Sequence, residues 1–239
     1  MSIIDKRIAS QYIVEYILNE IQSGKLKKGS HLPTEHQLSE MLGVSRIPLR
    51  EALCSLRTAG LLEARQGGGT YITSKCDPST LGRMLYSFAI LEEADINQIL
   101  DIRLLIEPEA AALAALNADD EQKQTILDLA KQYSDIINQL SSEKENLQIA
   151  SIDNEFHEQI AIASGNTFLW MIHKITDESS LQLNHMHFIE KADRYAKEKR
   201  EFANHHLQIA KAIKNSDAES ARSIMHRHLI KIKKSISKV

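Results

Sequence analysis

One stretch decides the fold of the first third of this sequence: Leu42-Gly43-Val44-Ser45-Arg46-Ile47-Pro48-Leu49-Arg50-Glu51-Ala52-Leu53. Its glycine ends one helix and its serine is placed to cap the next. Its proline falls in the first turn of that second helix, where no backbone N–H is needed. Apolar residues then recur at helical spacing until Gly60. Two short helices joined by so tight a turn indicate a helix-turn-helix.

The flanking segments complete this unit. Apolar spacing predicts a first helix over residues 8–23, and Thr34 is a candidate N-cap for the helix that ends at Leu42. The third helix spans residues 45–58. After it, residues 61–65 and 70–73 are predicted strands, joined by a glycine turn. Three helices followed by such a hairpin are typical of a winged helix-turn-helix, which we assign to residues 1–75.

The rest of the chain is predicted to be helical. Residues 76–81 contain a Cys-Asp-Pro-Ser linker, and beyond it glycine is rare. The sequence therefore predicts a mainly α protein, with a second, all-helical domain over residues 82–239. Its predicted helices are 80–91, 95–117, 119–141, 143–164, 167–188, 191–215 and 217–236.

Charge and composition narrow the class of protein. The net charge is −3, but residues 1–75 carry ten Lys and Arg against seven Asp and Glu, so the acidic excess lies in the second domain. A mildly basic first domain is compatible with nucleic acid. No apolar run is long enough to span a membrane. Two cysteines indicate no disulfide framework, and we expect a cytoplasmic protein.

Arginines line one side of the third helix. At 100° per residue, Arg46, Arg50 and Arg57 lie within about 40° of one another, beside the apolar face. Such a ridge suits the DNA major groove, where arginine pairs bidentately with guanine or binds phosphate. A solvated charged stripe is the alternative. Cys54 on the same helix is interpreted as a packing residue, with a redox switch as the alternative.

These residues resemble the GntR family of bacterial regulators. The likeness covers about residues 10–73, including Gly24–Glu35, Leu42–Leu53 and the wing at Gly67–Ile72. It implies that Arg46 and Arg50 contact DNA, that Ser45 touches the backbone, and that Gly67 and Gly68 of the wing enter the minor groove. Thr34, Glu35 and Pro48 lie in the matching stretches and join the implied DNA-binding set. His36 stands where the family usually has arginine.

Histidines mark the second domain. Asp153 and His157 lie four residues apart on one inward helical stripe, and His206 and His228 lie on the inward stripes of two other helices. His205 and His226 are rotated away from those stripes. Buried imidazoles beside a carboxylate suit a divalent metal. The alternative is that each is a hydrogen-bonded core histidine or lies at the surface.

The spacing from Asp153 and His157 to His206 and His228 resembles the metal-binding form of the FCD sensor domain, which defines the FadR subfamily. The likeness covers about residues 82–236. It implies an antiparallel helical bundle around a divalent metal, Zn most of all, with Ni, Mn or Fe as alternatives. It also implies a small organic or sugar acid as effector.

Two further residues are candidate effector contacts. Arg103 lies on an inward stripe and needs an anion, either an internal carboxylate or the effector. Asn166 is either a turn or cap residue or a ligand contact. Trp170 and His173 are interpreted as core or cavity wall.

The sequence thus predicts a regulator, not an enzyme, that binds a palindromic DNA operator as a homodimer. Its second domain is expected to bind a small metabolite as effector. Repression is the expected direction of control. A regulator that responds to the metal alone is one alternative. A metal-dependent enzyme is another, since a histidine-bound ion can activate water.

Overall fold

A computed structural model describes residues 3–75, 77–139, 143–188 and 192–237. The chain divides into two compact units, Met1–Leu81 and Gly82–Val239. In the part of the chain that the structure describes, no helix is long and apolar enough to cross a membrane.

The N-terminal unit has three helices and a hairpin. They are α1 (Ile3–Gln22), α2 (Glu35–Leu42), α3 (Arg46–Thr58), β1 (Leu62–Arg65) and β2 (Gly69–Ile72). The strands pair antiparallel, with Leu62 opposite Ile72. One core joins the helices to the hairpin, and it contains Ile13, Ile17, Leu32, Leu38, Leu49, Ala52, Leu53, Leu56, Leu62 and Ile72.

Local sequence explains the turn between α2 and α3. Thr34 and Gln37 form a capping box at the start of α2, each bonding the other's backbone N–H. Gly43 ends α2 at a φ of 63°, a left-handed conformation that glycine adopts without strain. The helices predicted from the sequence are therefore present, and α1 extends five residues further towards the N-terminus.

The C-terminal unit is a helical bundle. Helix α4 (Ser79–Leu91) crosses the division between the units, so the last three residues of the predicted linker are helical. Asp77 explains this start, because its side chain accepts a hydrogen bond from the Ser79 N–H. The other helices are α5 (Ile96–Asn117), α6 (Asp120–Gln139), α7 (Glu143–Ala163), α8 (Thr167–Phe188), α9 (Ala192–Lys214) and α10 (Ala218–Ser237).

Helix α5 lies at the centre of this bundle. It packs against α10, α7, α8 and α9, while α6 packs against α9 and α7. Small residues line its buried face, among them Ala111, Ala114 and Ala115, and let neighbouring helices approach closely. The predicted fold class, mainly α with a winged helix-turn-helix and an all-helical second domain, is confirmed.

Candidate functional site

Helix α3 presents its arginines to solvent. Arg46 and Arg50 are exposed, whereas Leu49, Leu53 and Leu56 on the other side of the helix are buried. Pro48 is buried too, so its ring is a packing element and is not placed to contact DNA. Because one face packs and the adjacent ridge is free, α3 has the geometry of a recognition helix.

Glu35 holds Arg50 across the turn. The Arg50 Nε donates to Glu35 Oε2 at 2.7 Å, and the two side chains are 67% and 39% exposed. A carboxylate repels phosphate, so Glu35 is better placed to orient Arg50 than to bind DNA itself. Its hydrogen bond also raises the pKa of Arg50.

The two N-cap residues of the helix-turn-helix differ. The Thr34 hydroxyl is used within the protein, where it accepts from the Gln37 N–H and donates to the Gln37 side chain. Ser45 is exposed and caps α3 by position alone, because its side chain makes no capping hydrogen bond. Of the two, Ser45 has the hydroxyl that remains available to a phosphate.

The wing is held by a histidine. His31 Nε2 lies 3.2 Å from the carbonyl oxygen of Gly68, and its ring meets Tyr71 edge-on at 4.8 Å. A Cβ at Gly69 would stand 2.5 Å from that nitrogen and would displace the His31 ring, and the φ of 90° also favours glycine there. The guanidinium of Arg65 lies over the Tyr71 ring, 4.2 Å from its centroid. Gly67, at the exposed tip, is free to approach a groove.

Two other predicted residues of this unit are at the surface. His36 is exposed, with its Nδ1 3.5 Å from Glu40 Oε2. Cys54 is a free and exposed cysteine beside the arginine ridge, so its interpretation as a packing residue is wrong. At 100° per residue, Cys54 lies 100° beyond Leu53 and on the far side of the arginine ridge, so the periodicity of α3 itself favours exposure.

Three histidines meet inside the C-terminal unit. His157 of α7, His206 of α9 and His228 of α10 each offer a ring nitrogen, and these atoms all lie within 4.8 Å of one another. All three are buried, His206 and His228 completely. His206 Nε2 and His228 Nε2 are 3.2 Å apart. Two nitrogens bound to one Zn²⁺ at tetrahedral angles would be about 3.3 Å apart, so the spacing fits a shared ion.

Burial favours the neutral form of two of these histidines. Burial, followed by the nearby His157, lowers the pKa of His206 well below its ordinary value. Burial and then His206 do the same for the pKa of His228. Neutral imidazole is the form that binds metals. Among the described residues, the Nδ1 atoms of both rings have no hydrogen-bond partner.

Asp153 approaches the cluster from one side. Its Oδ1 lies 3.4 Å from His206 Nε2, and its side chain is 29% exposed. Burial raises the pKa of its carboxyl. The three histidines thus form the compact group, and Asp153 adds a carboxylate oxygen beside His206 from a partly exposed side chain.

Arg103 meets an internal carboxylate. Its Nε donates to Glu107 Oε1 at 2.5 Å, and both side chains are nearly buried. Burial would lower the pKa of Arg103, but Glu107 outweighs it and the pKa is raised. Glu107 Oε2 lies 2.7 Å from His157 Nδ1. Of the two partners predicted for Arg103, the structure therefore shows the internal one, which also contacts the cluster.

The remaining predictions for this unit have mixed outcomes. The side-chain Oδ1 of Asn166 accepts hydrogen bonds from the backbone N–H groups of Phe168 and Leu169, so this side chain caps α8. His226 is exposed, as its rotation predicted. His205 is rotated away from the stripe that carries His206. It is nevertheless buried, at 8% exposure, and its ring centroid lies 5.7 Å from that of His228.

Sequence reasoning missed Glu107 as a site residue. Its signal was present, because it follows Arg103 by four residues on one helix and the two must face the same way. His173 was assigned to the core, and it is 1% exposed. Its Nδ1 lies 3.5 Å from Glu107 Oε1, which connects it to the cluster.

A winged helix-turn-helix with a free arginine ridge, followed by a helical unit with a buried histidine cluster, defines a DNA-binding regulator with a sensor domain. Comparison with known proteins identifies the family. Residues 9–72 match the gntR family of bacterial regulatory proteins, and residues 98–231 match the FCD domain. The chain belongs to the GntR family of transcription regulators, in the group that carries an FCD domain.

Relatives along the whole chain agree. The HTH-type transcriptional regulator LutR of Bacillus subtilis (strain 168) is 30% identical over 91% of this chain and 96% of its own. The Glc operon transcriptional activator of Escherichia coli (strain K12) is 27% identical over 97% of this chain and 90% of its own. The structure titled Streptococcus agalactiae GntR has a TM-score of 0.72 at 27% identity, covering 95% of this chain and 99% of that one.

Proposed function

We propose that the affinity of this regulator for its operator is set by a small carboxylate bound beside a divalent metal in the C-terminal unit. One observation carries the proposal. Three buried histidines from three helices converge, with two Nε2 atoms 3.2 Å apart. The Nδ1 atoms of His206 and His228 have no hydrogen-bond partner among the described residues. Buried imidazoles of this kind are costly unless they serve jointly, and a metal would give them that role.

The chain's own residues support the assignment of roles. Asp153, His157, His206 and His228 would hold the ion, with Zn²⁺ preferred and Ni²⁺, Mn²⁺ or Fe²⁺ as alternatives. The bound ion would supply positive charge and a coordination position for a carboxylate oxygen. Arg103 keeps its two terminal nitrogens for the far end of an organic or sugar acid, because Glu107 occupies Nε.

On the DNA side we propose that different residues contact the bases, the backbone and the minor groove. Arg46 and Arg50 would read base edges, Ser45 and His36 would contact the backbone, and the wing tip at Gly67 and Gly68 would enter the minor groove. A homodimer would place two α3 helices in successive major grooves of a palindromic operator. The protein would act in the cytoplasm, where bacterial DNA lies.

Repression is the proposed direction of control. It is supported by the family resemblance, since regulators of this type most often release DNA when a metabolite binds. The Escherichia coli relative is an activator, so transcription from an operator-bearing template must be measured with and without effector. Transcription that rises only when protein and effector are both present would replace repression with activation.

A regulator that senses the metal alone is the second candidate, and the same histidine cluster supports it. If the ion alone changes DNA affinity fully and no acid changes it further, this candidate replaces the first. An enzyme is a weaker third candidate. The named relatives are transcription regulators, and acid turnover by the metal-loaded protein would be needed to support it.

Two neighbours on α10 give a matched test of the metal. His228 is fully buried in the cluster, whereas His226 is exposed. We expect His228→Ala to abolish Zn²⁺ binding and the rise in Tm that Zn²⁺ produces, and His226→Ala to keep both. A thermal-shift screen of carboxylic acids then follows, and acids should raise Tm only in metal-loaded protein. Wild-type protein that takes up no metal would exclude the proposal.

A further inference from the structure

The carboxylate of Glu107 is a meeting point of three helices. Arg103 of α5 lies 2.5 Å from it, His157 of α7 lies 2.7 Å from it, and His173 of α8 lies 3.5 Å from it. All four side chains are buried or nearly so. Burial would raise the pKa of Glu107, but Arg103 and His157 lower it well below its ordinary value, so the carboxylate is charged.

This contact selects one nitrogen of His157. A carboxylate beside Nδ1 favours the tautomer whose proton is on that atom, in which the lone pair of Nε2 is available to a metal. Outer carboxylates of this kind fix the tautomer and ring orientation of metal-binding histidines. His206 differs, because the carboxylate that it meets, Asp153, lies beside its Nε2. Among the described ion pairs of the three rings, Nδ1 meets a carboxylate in His157.

His173 of α8 approaches the same carboxylate of Glu107. It is 1% exposed, and neither ring nitrogen has a hydrogen-bond partner among the residues that the structure describes. It shares a small cavity of about 10 Å³ with Glu107 and His157, whose other walls are mostly apolar. A buried imidazole without hydrogen bonds destabilises the fold, so leucine would pack better here if packing were the only role of His173.

We propose that Glu107 and His173 are positioning residues for the metal site, which rests on the proposed function above. Glu107 orients His157 so that Nε2 faces the ion, and His173 helps Arg103 to hold the Glu107 carboxylate in place. The contacts run in series from α8 through Glu107 to a metal ligand on α7. The affinity for metal therefore depends on α8, a helix that itself contributes no member of the histidine triplet.

Zinc affinity of the full-length protein tests this, measured by competition with a chromophoric chelator. Glu107→Gln should lower Zn²⁺ affinity by about 10- to 100-fold, the range for outer-shell partners. Bound Co²⁺ should also show an altered absorption spectrum, because the spectrum reports ligand geometry. Glu158→Gln is the matched control. Glu158 also joins α7 to α8, through Lys174 at 2.7 Å and Trp170 at 3.3 Å, and these contacts involve neither Glu107 nor the histidine cluster.

His173→Leu gives a second signature, which holds if Glu107→Gln does not fold. It should weaken Zn²⁺ binding severalfold while the Tm of the metal-free protein stays equal or rises. A purely structural histidine would leave Zn²⁺ affinity unchanged. The inference is wrong if both variants bind Zn²⁺ within twofold of wild type, or if Glu158→Gln weakens binding equally. Wild-type protein that binds no Zn²⁺ would instead exclude the metal site and the inference with it.

Discussion

The two units of this protein use the same ion pair in opposite ways. In each, an arginine Nε donates to a glutamate, at 2.7 Å for Arg50 and Glu35 and at 2.5 Å for Arg103 and Glu107. The first pair is 67% and 39% exposed, and the second is 11% and 4% exposed. Solvent screens the first pair, so it contributes little to stability. The second pair lies where an unpaired charge is very costly.

The difference matches the two tasks. An exposed pair can orient Arg50 loosely and still yield it to a DNA base, because little energy is lost when the contact changes. Breaking the buried pair costs much more free energy, and its carboxylate also contacts His157. Thus the N-terminal unit keeps its arginine available for an external partner, while the C-terminal unit uses its arginine to fix an internal site.

Removing the arginines should separate the pairs most clearly. Arg103→Gln leaves Glu107 buried with its charge uncompensated, and we expect the free energy of unfolding to fall by about 3–5 kcal/mol. Arg50→Gln should leave unfolding unchanged within error. Urea unfolding of the metal-free protein, followed in each unit, measures both. If Arg103→Gln has the same free energy of unfolding as wild type, the buried pair does not stabilise the C-terminal unit.

Acid should act on the C-terminal unit first. The pKa values of His206 and His228 are lowered in the folded state, so below pH 6.5 the unfolded chain takes up protons that the folded chain refuses. Stability therefore falls with falling pH, by about 1.4 kcal/mol per pH unit for each histidine. Glu107, with its lowered pKa, adds a loss only below about pH 4.5.

Chelator-treated protein, unfolded in urea between pH 7.5 and 5.5, checks this slope. The double variant His206→Leu/His228→Leu should flatten it, because it removes both groups that resist protonation. A slope that is equal in wild type and the double variant would show that these histidines take up protons in the folded state.

Much of the fold was predictable because local signals agree with each other. Gly43, Ser45 and Gly60 mark the ends of helices through their own backbone preferences, which do not depend on the rest of the molecule. Apolar periodicity placed the seven helices of the second domain within a few residues. The predicted linker overlaps the start of α4, because this helix begins where the Asp77 side chain accepts a hydrogen bond from the Ser79 N–H.

The candidate site was predictable only in part. Stripe geometry brought His157, His206 and His228 to the interior, because direction on a helix follows from spacing. It did not show that Glu107 would be shared between Arg103 and His157, since that depends on how α5 and α7 approach each other. The burial of Pro48 likewise depends on tertiary packing. The exposure of Cys54 does not, because its direction on α3 is nearly opposite to the apolar stripe.

The exposed pair makes its own prediction about DNA. Arg50→Ala should weaken binding by about 5- to 150-fold to duplexes that the wild-type protein selects from a random library. Glu35→Gln should flatten the base preference at the same position but strengthen binding to unselected DNA, because a negative charge is lost. Glu40→Gln is the control, since it removes the same charge without touching Arg50. If Glu35→Gln and Glu40→Gln give identical selected sequences, Glu35 does not orient Arg50.

The smallest effect should come from His36, which lies in the same exposed environment as Arg50. It is 64% exposed and only 3.5 Å from Glu40, so His36→Arg should add a permanent charge near the surface without disturbing the fold. We expect severalfold tighter DNA binding, and the plot of log affinity against log salt should steepen by about one unit. Lys25→Arg, also in the N-terminal unit, controls for arginine itself, because its charge is unchanged. A steeper slope in His36→Arg alone places a phosphate at this position, whereas equal slopes in wild type and both variants would show that DNA does not reach it.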